Sequence, residues 1–114
     1  IIDLWGVIHD GQTLYPGVTD CLQQLAVKGK PYAMLTNAPR RATAVARGMD
    51  GMGLPPSFCP HIMSSGEATW RGLRERREDW FDGVGDRCLH IGDQAEQSAL
   101  EDLFDTTIAA SFEF

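Results

Sequence analysis

Ile1-Ile2-Asp3-Leu4-Trp5-Gly6-Val7-Ile8 is an apolar run carrying a single charge, Asp3. A continuous stretch of this kind reads as a strand buried on both faces, the pattern of parallel sheets with helices on either side. His9-Asp10-Gly11 follows as a turn and Tyr15-Pro16-Gly17 as a second stop. Val18, Cys21, Leu22, Leu25 and Ala26 then recur at helical spacing, a core-facing stripe closed by Lys28 and Gly29.

The alternation continues outward. Residues 31–36 form a second apolar strand, and residues 41–52 a helix with Ala42, Val45, Ala46 and Met49 on one side, stopped by Gly53 and Pro55-Pro56. His61-Ile62-Met63 reads as a third strand. Residues 66–81 read as a helix whose apolar side is Trp70, Leu73, Trp80 and Phe81, with the mixed charges of residues 71–79 as a solvated face. After the turn at residues 82–85 come a fourth strand, residues 88–91, and a helix opened by a capping box at Asp93 and Glu96 and running to Phe104. A fifth strand spans residues 107–110. Strand and helix alternate throughout, so the fold class is α/β with a mostly parallel sheet.

Composition narrows the function classes. The chain has 114 residues, 43% hydrophobic and 23% charged, which fits a globular domain and excludes a disordered or collagenous one. Sixteen acidic against ten basic residues give a net charge of −6, the wrong sign for a phosphate-backbone partner. No apolar run approaches the roughly 18–20 residues of a membrane span. No export signal is visible, so a cytoplasmic location is expected. Three widely separated cysteines, Cys21, Cys59 and Cys88, suit reduced thiols better than a disulfide framework or a zinc site. Cys21 is expected in the core, and Cys59 and Cys88 have no activating neighbour. His61 and His90 lack ligand-spaced partners and read as packed histidines.

Ligands of open parallel sheets bind beyond the carboxyl ends of the strands. At the first such end, Asp3 is a carboxylate inside an apolar run, followed by Gly6, where backbone can approach a ligand. It needs a metal, a cation or N–H donors, or else simply caps a loop. At the second, Thr36 and Asn37 run into Ala38-Pro39-Arg40-Arg41 at a helix start. Hydroxyl, amide and helix N-terminus together suit an anion, with Arg40 and Arg41 alongside; the alternative is that these residues only cap the helix.

Taken together, Asp3-Leu4-Trp5-Gly6-Val7-Ile8-His9-Asp10-Gly11, Tyr15-Pro16-Gly17, Leu35-Thr36-Asn37-Ala38-Pro39-Arg40 and Met63-Ser64-Ser65-Gly66-Glu67-Ala68 resemble the haloacid dehalogenase-like hydrolases. The particular resemblance is to their class IIA, the NagD-like and 4-nitrophenylphosphatase-like group, and it covers essentially the whole chain. It implies a Rossmann-like hydrolase core whose N-terminal half is residues 1–81, followed by the beginning of an inserted α/β cap at residues 82–114.

The resemblance also implies a Mg²⁺-dependent phosphatase acting on a small phosphorylated metabolite. Asp3 matches the nucleophile that forms an aspartyl-phosphate. The same carboxylate and the Trp5 backbone carbonyl match metal ligands. Thr36, the Asn37 N–H and the Gly6 loop match the phosphoryl-binding groups, and His9 and Asp10 sit where the family has a mobile flap.

One position departs from the family pattern. The second Asp, the general acid two residues after the nucleophile, is here Trp5, whose indole cannot protonate a leaving oxygen. His9 and Asp10 are candidate substitutes. The rival reading is a non-catalytic phosphate-binding or regulatory protein that keeps the pocket without turnover, and a third is a truncated product with no independent role.

Residues 91–93, Ile-Gly-Asp, fall short of the family's late acidic motif at Gln97 and Ser98, and no lysine follows Lys30. The chain therefore reads as an N-terminal portion of a longer protein, inactive by itself. Substrate identity and oligomeric state are not legible in the sequence.

Overall fold

A computed structural model describes residues 1–92, 100–104 and 106–110. Three parallel strands form the first sheet in the order β1 (Ile2–Asp3), β2 (Met34–Thr36), β3 (Ile62–Ser64). Helix α1 (Val18–Val27) connects β1 to β2, and α2 (Ala42–Gly51) with a 3-10 turn at Pro56–Phe58 connects β2 to β3. Helix α3 (Ser65–Glu75) leaves directly from β3. A second, two-stranded parallel sheet pairs β4 (Arg87–Ile91) with β5 (Thr106–Ala110). The expected α/β class is what the structure has. The capping box at Asp93 and Glu96 lies outside the described residues.

The register places the site. Ile2 pairs with Met34 and Asp3 with Leu35, while Thr36 pairs with Ser64. Asp3 and Thr36 therefore stand at neighbouring carboxyl ends. One face of this sheet carries the core: Met34 packs with Leu4, Ile8, Leu54, Val18 and Leu22 of α1 and Met49 of α2. On the opposite face Leu35 is 50% exposed and Met63 37% exposed. The apolar character of β2 on both faces is that of a strand covered from both sides, but the described residues cover one.

Four expectations need correction. The run from Ile1 to Ile8 is not one strand. β1 ends at Asp3, and the carbonyl of Leu4 then accepts N–H bonds from Val7, Ile8 and His9 at 3.2, 2.8 and 3.2 Å. Gly6 supplies the left-handed turn at φ 77° that this folding-back requires. Leu4 and Ile8 are still buried, delivered to the core by a loop.

The helix expected to reach Phe81 stops at Glu75. Arg76 adopts φ 44° there, and its guanidinium bonds the carbonyls of Leu73 at 3.1 Å and Val84 at 2.8 Å. These bonds oppose the strain of a left-handed non-glycine residue. Trp80 is consequently exposed, while Phe81 turns inward from a 3-10 turn at Asp79–Phe81.

Cys21 is exposed, because only Val18, Leu22 and Leu25 of the α1 stripe face the sheet. His61 is exposed as well, just before β3 begins. Cys59 is partly buried, and that burial pushes its thiol up, consistent with an unactivated side chain.

Candidate active site

Two clefts open at the carboxyl ends of β1 and β2 and share Trp5, Thr36 and Asn37. One, about 720 Å³, is lined by Asp3, Trp5, Thr36, Asn37 and Ser65 among others. The other, about 540 Å³, runs between the loop after β1 and α2, with His9, Gly11 and Arg40 at its polar side and Val45, Met49 and Met52 at its apolar floor.

Asp3 is exposed in the first cleft, and its Oδ1 accepts the Leu4 N–H at 2.7 Å. Oδ2 takes no hydrogen bond among the described residues. Thr36 is buried, and its Oγ1 accepts the Ala38 N–H at 3.3 Å. Among the described residues the hydroxyl donates to no partner, so its hydrogen is available to a group in the cleft. Asn37 lines both clefts.

The oxygens to weigh for a metal here are the Asp3 carboxylate, whose Oδ2 is unpaired among the described residues, and the Trp5 backbone carbonyl that the family resemblance names. They are hard oxygens of the type Mg²⁺ takes, and they amount to two of the six ligands it prefers. Among the described residues no group of three or more His, Cys, Asp or Glu side chains could hold a metal.

The flap residues separate. His9 Nδ1 accepts the Gly11 N–H at 2.9 Å, so Nε2 is the nitrogen left for the cleft it lines. Asp10 lines neither cleft. Its Oδ1 accepts the N–H groups of Gln12 at 2.9 Å and Thr13 at 2.8 Å, and these backbone bonds, Thr13 first, hold its carboxyl below the ordinary range. Trp5 is 64% exposed, its ring edge-on to His9 at 6.0 Å and lying where a side chain on Gly11 would fall. Gly6 also lines neither cleft; its N–H goes to the His9 carbonyl at 2.9 Å.

Arg41 does not face the anion site as expected. Its Nε donates to Glu67 Oε2 at 2.7 Å, and its guanidinium lies 3.7 Å from the centre of the Trp70 ring. The start of α2 is not free either, since the same carboxylate oxygen accepts the Ala42 N–H at 3.2 Å. A negative charge already occupies that helix N-terminus, and of the residues expected to receive an anion Thr36, Asn37 and Arg40 remain at the cleft.

Glu67 is the residue that reading the sequence missed. It is 5% exposed, accepts Arg41 and Arg71 side chains, and caps α2 from α3. The one signal available was Ser64-x-x-Glu67, a capping-box spacing at the start of α3, and Ser64 Oγ does accept the Glu67 N–H at 3.0 Å. The Arg41 hydrogen bond, helped by Arg71 and Ala42 and opposed by burial, brings the Glu67 carboxyl from 4.5 down to about 2.

A folded-state value below the unfolded one favours folding whenever the group is ionised. That contribution is complete above about 4.5 and is lost as pH falls towards about 2. Melting temperature should therefore fall with acid more steeply in the wild type than in Glu67→Gln across this window. Parallel slopes would contradict the ion-pair assignment.

Fold and clefts together define a Rossmann-like α/β protein with a carboxylate, Asp3, and a hydroxyl, Thr36, at adjacent strand ends. The sequence profile of the haloacid dehalogenase-like hydrolases matches residues 1–103, and the chain belongs to that family.

Among solved structures, a haloacid dehalogenase-like hydrolase from Brucella suis 1330 superposes with a TM-score of 0.74 at 28% identity, over 90% of this chain and 35% of that one. The hypothetical protein PH1952 from Pyrococcus horikoshii OT3 gives 0.67 at 24% identity, over 95% and 39%. NagD from E. coli K-12 gives 0.63 at 21% identity, over 99% and 45%. The last two show likeness of fold. The chain spans less than half the length of each of the three. No curated protein matches it, and no helix among the described residues is long and apolar enough to cross a membrane.

Proposed function

We propose that the protein carrying this chain is a class IIA phosphatase of the family, hydrolysing the phosphate monoester of a small metabolite through an aspartyl-phosphate on Asp3. The observation that carries the reading is the shared cleft: a carboxylate with an unused oxygen and a hydroxyl with an unused hydrogen line one cavity. Asp3 would attack phosphorus, and Thr36 with the Asn37 N–H would receive charge on the transferring oxygens. Gly6 would act through the shape of the turn. Mg²⁺, held by Asp3 and the Trp5 carbonyl with ligands from elsewhere, would neutralise the repulsion between carboxylate and phosphate when bound.

The separate sheets support residues 1–81 as part of the hydrolase core and residues 82–114 as the start of a cap. A cytoplasmic setting without nucleic-acid or membrane partners suits the acidic charge. The test is Mg²⁺-dependent phosphate release from 4-nitrophenyl phosphate by the full-length protein, with residues 1–114 alone expected to release none. Absence of release from the full-length protein would favour the second reading, a phosphate-binding protein without turnover, for which Trp5 in the general-acid position speaks.

If turnover occurs, the proton must come from elsewhere. His9 lines the cleft, whereas the Asp10 carboxylate is committed to its turn. To give a proton to the leaving oxygen His9 must carry one on each ring nitrogen, which means giving up the bond that Nδ1 accepts from Gly11. If it acts in that form, His9→Gln should slow an alkyl phosphate about tenfold or more beyond its effect on an aryl phosphate, whose leaving group needs no acid. Asp10→Asn should treat the two substrates alike. The same ratio in His9→Gln as in wild type would remove His9 from the role.

A further inference from the structure

We propose that Glu67 is a positioning residue that fixes the phosphoryl-binding loop, residues 36–41, from the start of α3; this builds on the phosphatase reading above. One short segment, residues 64–67, pins the loop at Ala38, Arg40 and Arg41. Gly66 N–H donates to the Ala38 carbonyl at 3.1 Å, and Ser64 Oγ donates to the Arg40 carbonyl at 2.5 Å. Glu67 then takes the Arg41 Nε at 2.7 Å and the Ala42 N–H at 3.2 Å, with Arg71 Nε on its other oxygen at 2.9 Å. Thr36 is drawn into the same arrangement by the Ala38 N–H on its hydroxyl.

A carboxylate that is almost wholly buried and spends both oxygens in this way is costly unless its partners stay in place. Its partners are the far end of the loop and the first turn of α2, so the loop's position and the satisfaction of Glu67 are one condition. The charge is not available to substrate or metal, since it faces Arg41 and Arg71. Its influence on chemistry runs through the placement of Thr36 and Asn37. Groups that meet the transferring phosphoryl act most strongly in the transition state, where displacement of about 1 Å can cost about 10²-fold.

The experiment compares full-length wild type, Glu67→Gln and Arg41→Lys, with Glu75→Gln as a surface carboxylate change on the same helix. Turnover of 4-nitrophenyl phosphate is normalised to folded protein, and the amide resonances of Asn37, Ala38, Arg40, Arg41 and Ala42 are recorded by ¹⁵N–¹H correlation. In Glu67→Gln, kcat is expected to fall about 10- to 100-fold with KM within about threefold, and the loop amides to move. Arg41→Lys should show the same pattern to a smaller degree, and Glu75→Gln neither effect.

Unchanged kcat per folded molecule with unmoved loop amides would overturn the proposal, as would a loss confined to melting temperature. Should Glu67→Gln not fold, Arg41→Lys decides by the same two measurements. Should wild type show no Asp3-dependent turnover, the phosphatase reading fails separately, and the amide shifts still decide whether Glu67 holds the loop.

Discussion

Asp3→Asn is expected to lower turnover of 4-nitrophenyl phosphate by at least about 10³-fold while leaving the melting temperature close to that of wild type. The reasons are separable. An amide keeps the oxygen that accepts the Leu4 N–H at 2.7 Å, so the turn after β1 is preserved. It offers no anionic oxygen to attack phosphorus. Asp3 is exposed and lies outside the core cluster, so its charge is not part of what holds the sheet. Residual activity above about a tenth of wild type would remove Asp3 from the nucleophile's role.

Gly66→Ala is expected to destabilise the fold markedly, because it drives a methyl group into backbone atoms. A Cβ at Gly66 would run into the Pro39 carbonyl oxygen and lie 2.7 Å from the Arg40 carbonyl carbon. Both are backbone atoms of the loop beside Thr36, so no side chain can swing aside to relieve the contact. Overpacking of this kind costs about 1–3 kcal/mol, read as a lowered denaturant midpoint, and the displaced loop should lower turnover about 10²-fold. Gly6→Ala meets no atom within 4 Å and is strained only through φ 77°, so its cost is expected near the lower end of that range. A wild-type midpoint in Gly66→Ala would contradict the close approach of α3 to the loop.

The helices α1 and α2 were legible because each rests on a local period, and β2 and β3 because each is a short apolar run bounded by turn residues. Val18, Leu22 and Leu25 mark the buried side of α1, as Val45 and Met49 do for α2. The period marks which side can be buried and not how wide the buried strip is, which is why Cys21 was placed inward and lies outside. The turn after Asp3 hid within an apolar run because apolar character alone does not distinguish strand from loop; Gly6 was its only mark. Arg76 could not be anticipated as a helix end, since its left-handed conformation depends on carbonyls supplied by the following loop.

The candidate site was legible where chemistry follows the chain and illegible where it crosses it. Asp3 at one strand end and Thr36-Asn37 at the next come together through parallel register alone. Arg41 was read as a free cation because its neighbours in sequence do not reveal Glu67, which reaches it from the following helix. The same partnership removes the α2 N-terminus from the anion pocket and leaves Arg40 as the basic residue at the cleft.

Transient phosphorylation of Asp3 is the most direct test of the account. Full-length protein turning over 4-nitrophenyl phosphate would be quenched in acid, digested and weighed by mass spectrometry. The account predicts a phosphoryl group on the peptide containing Asp3, released by hydroxylamine and absent in Asp3→Asn. Steady Mg²⁺-dependent hydrolysis with no modification of that peptide, or modification at another residue, would contradict it.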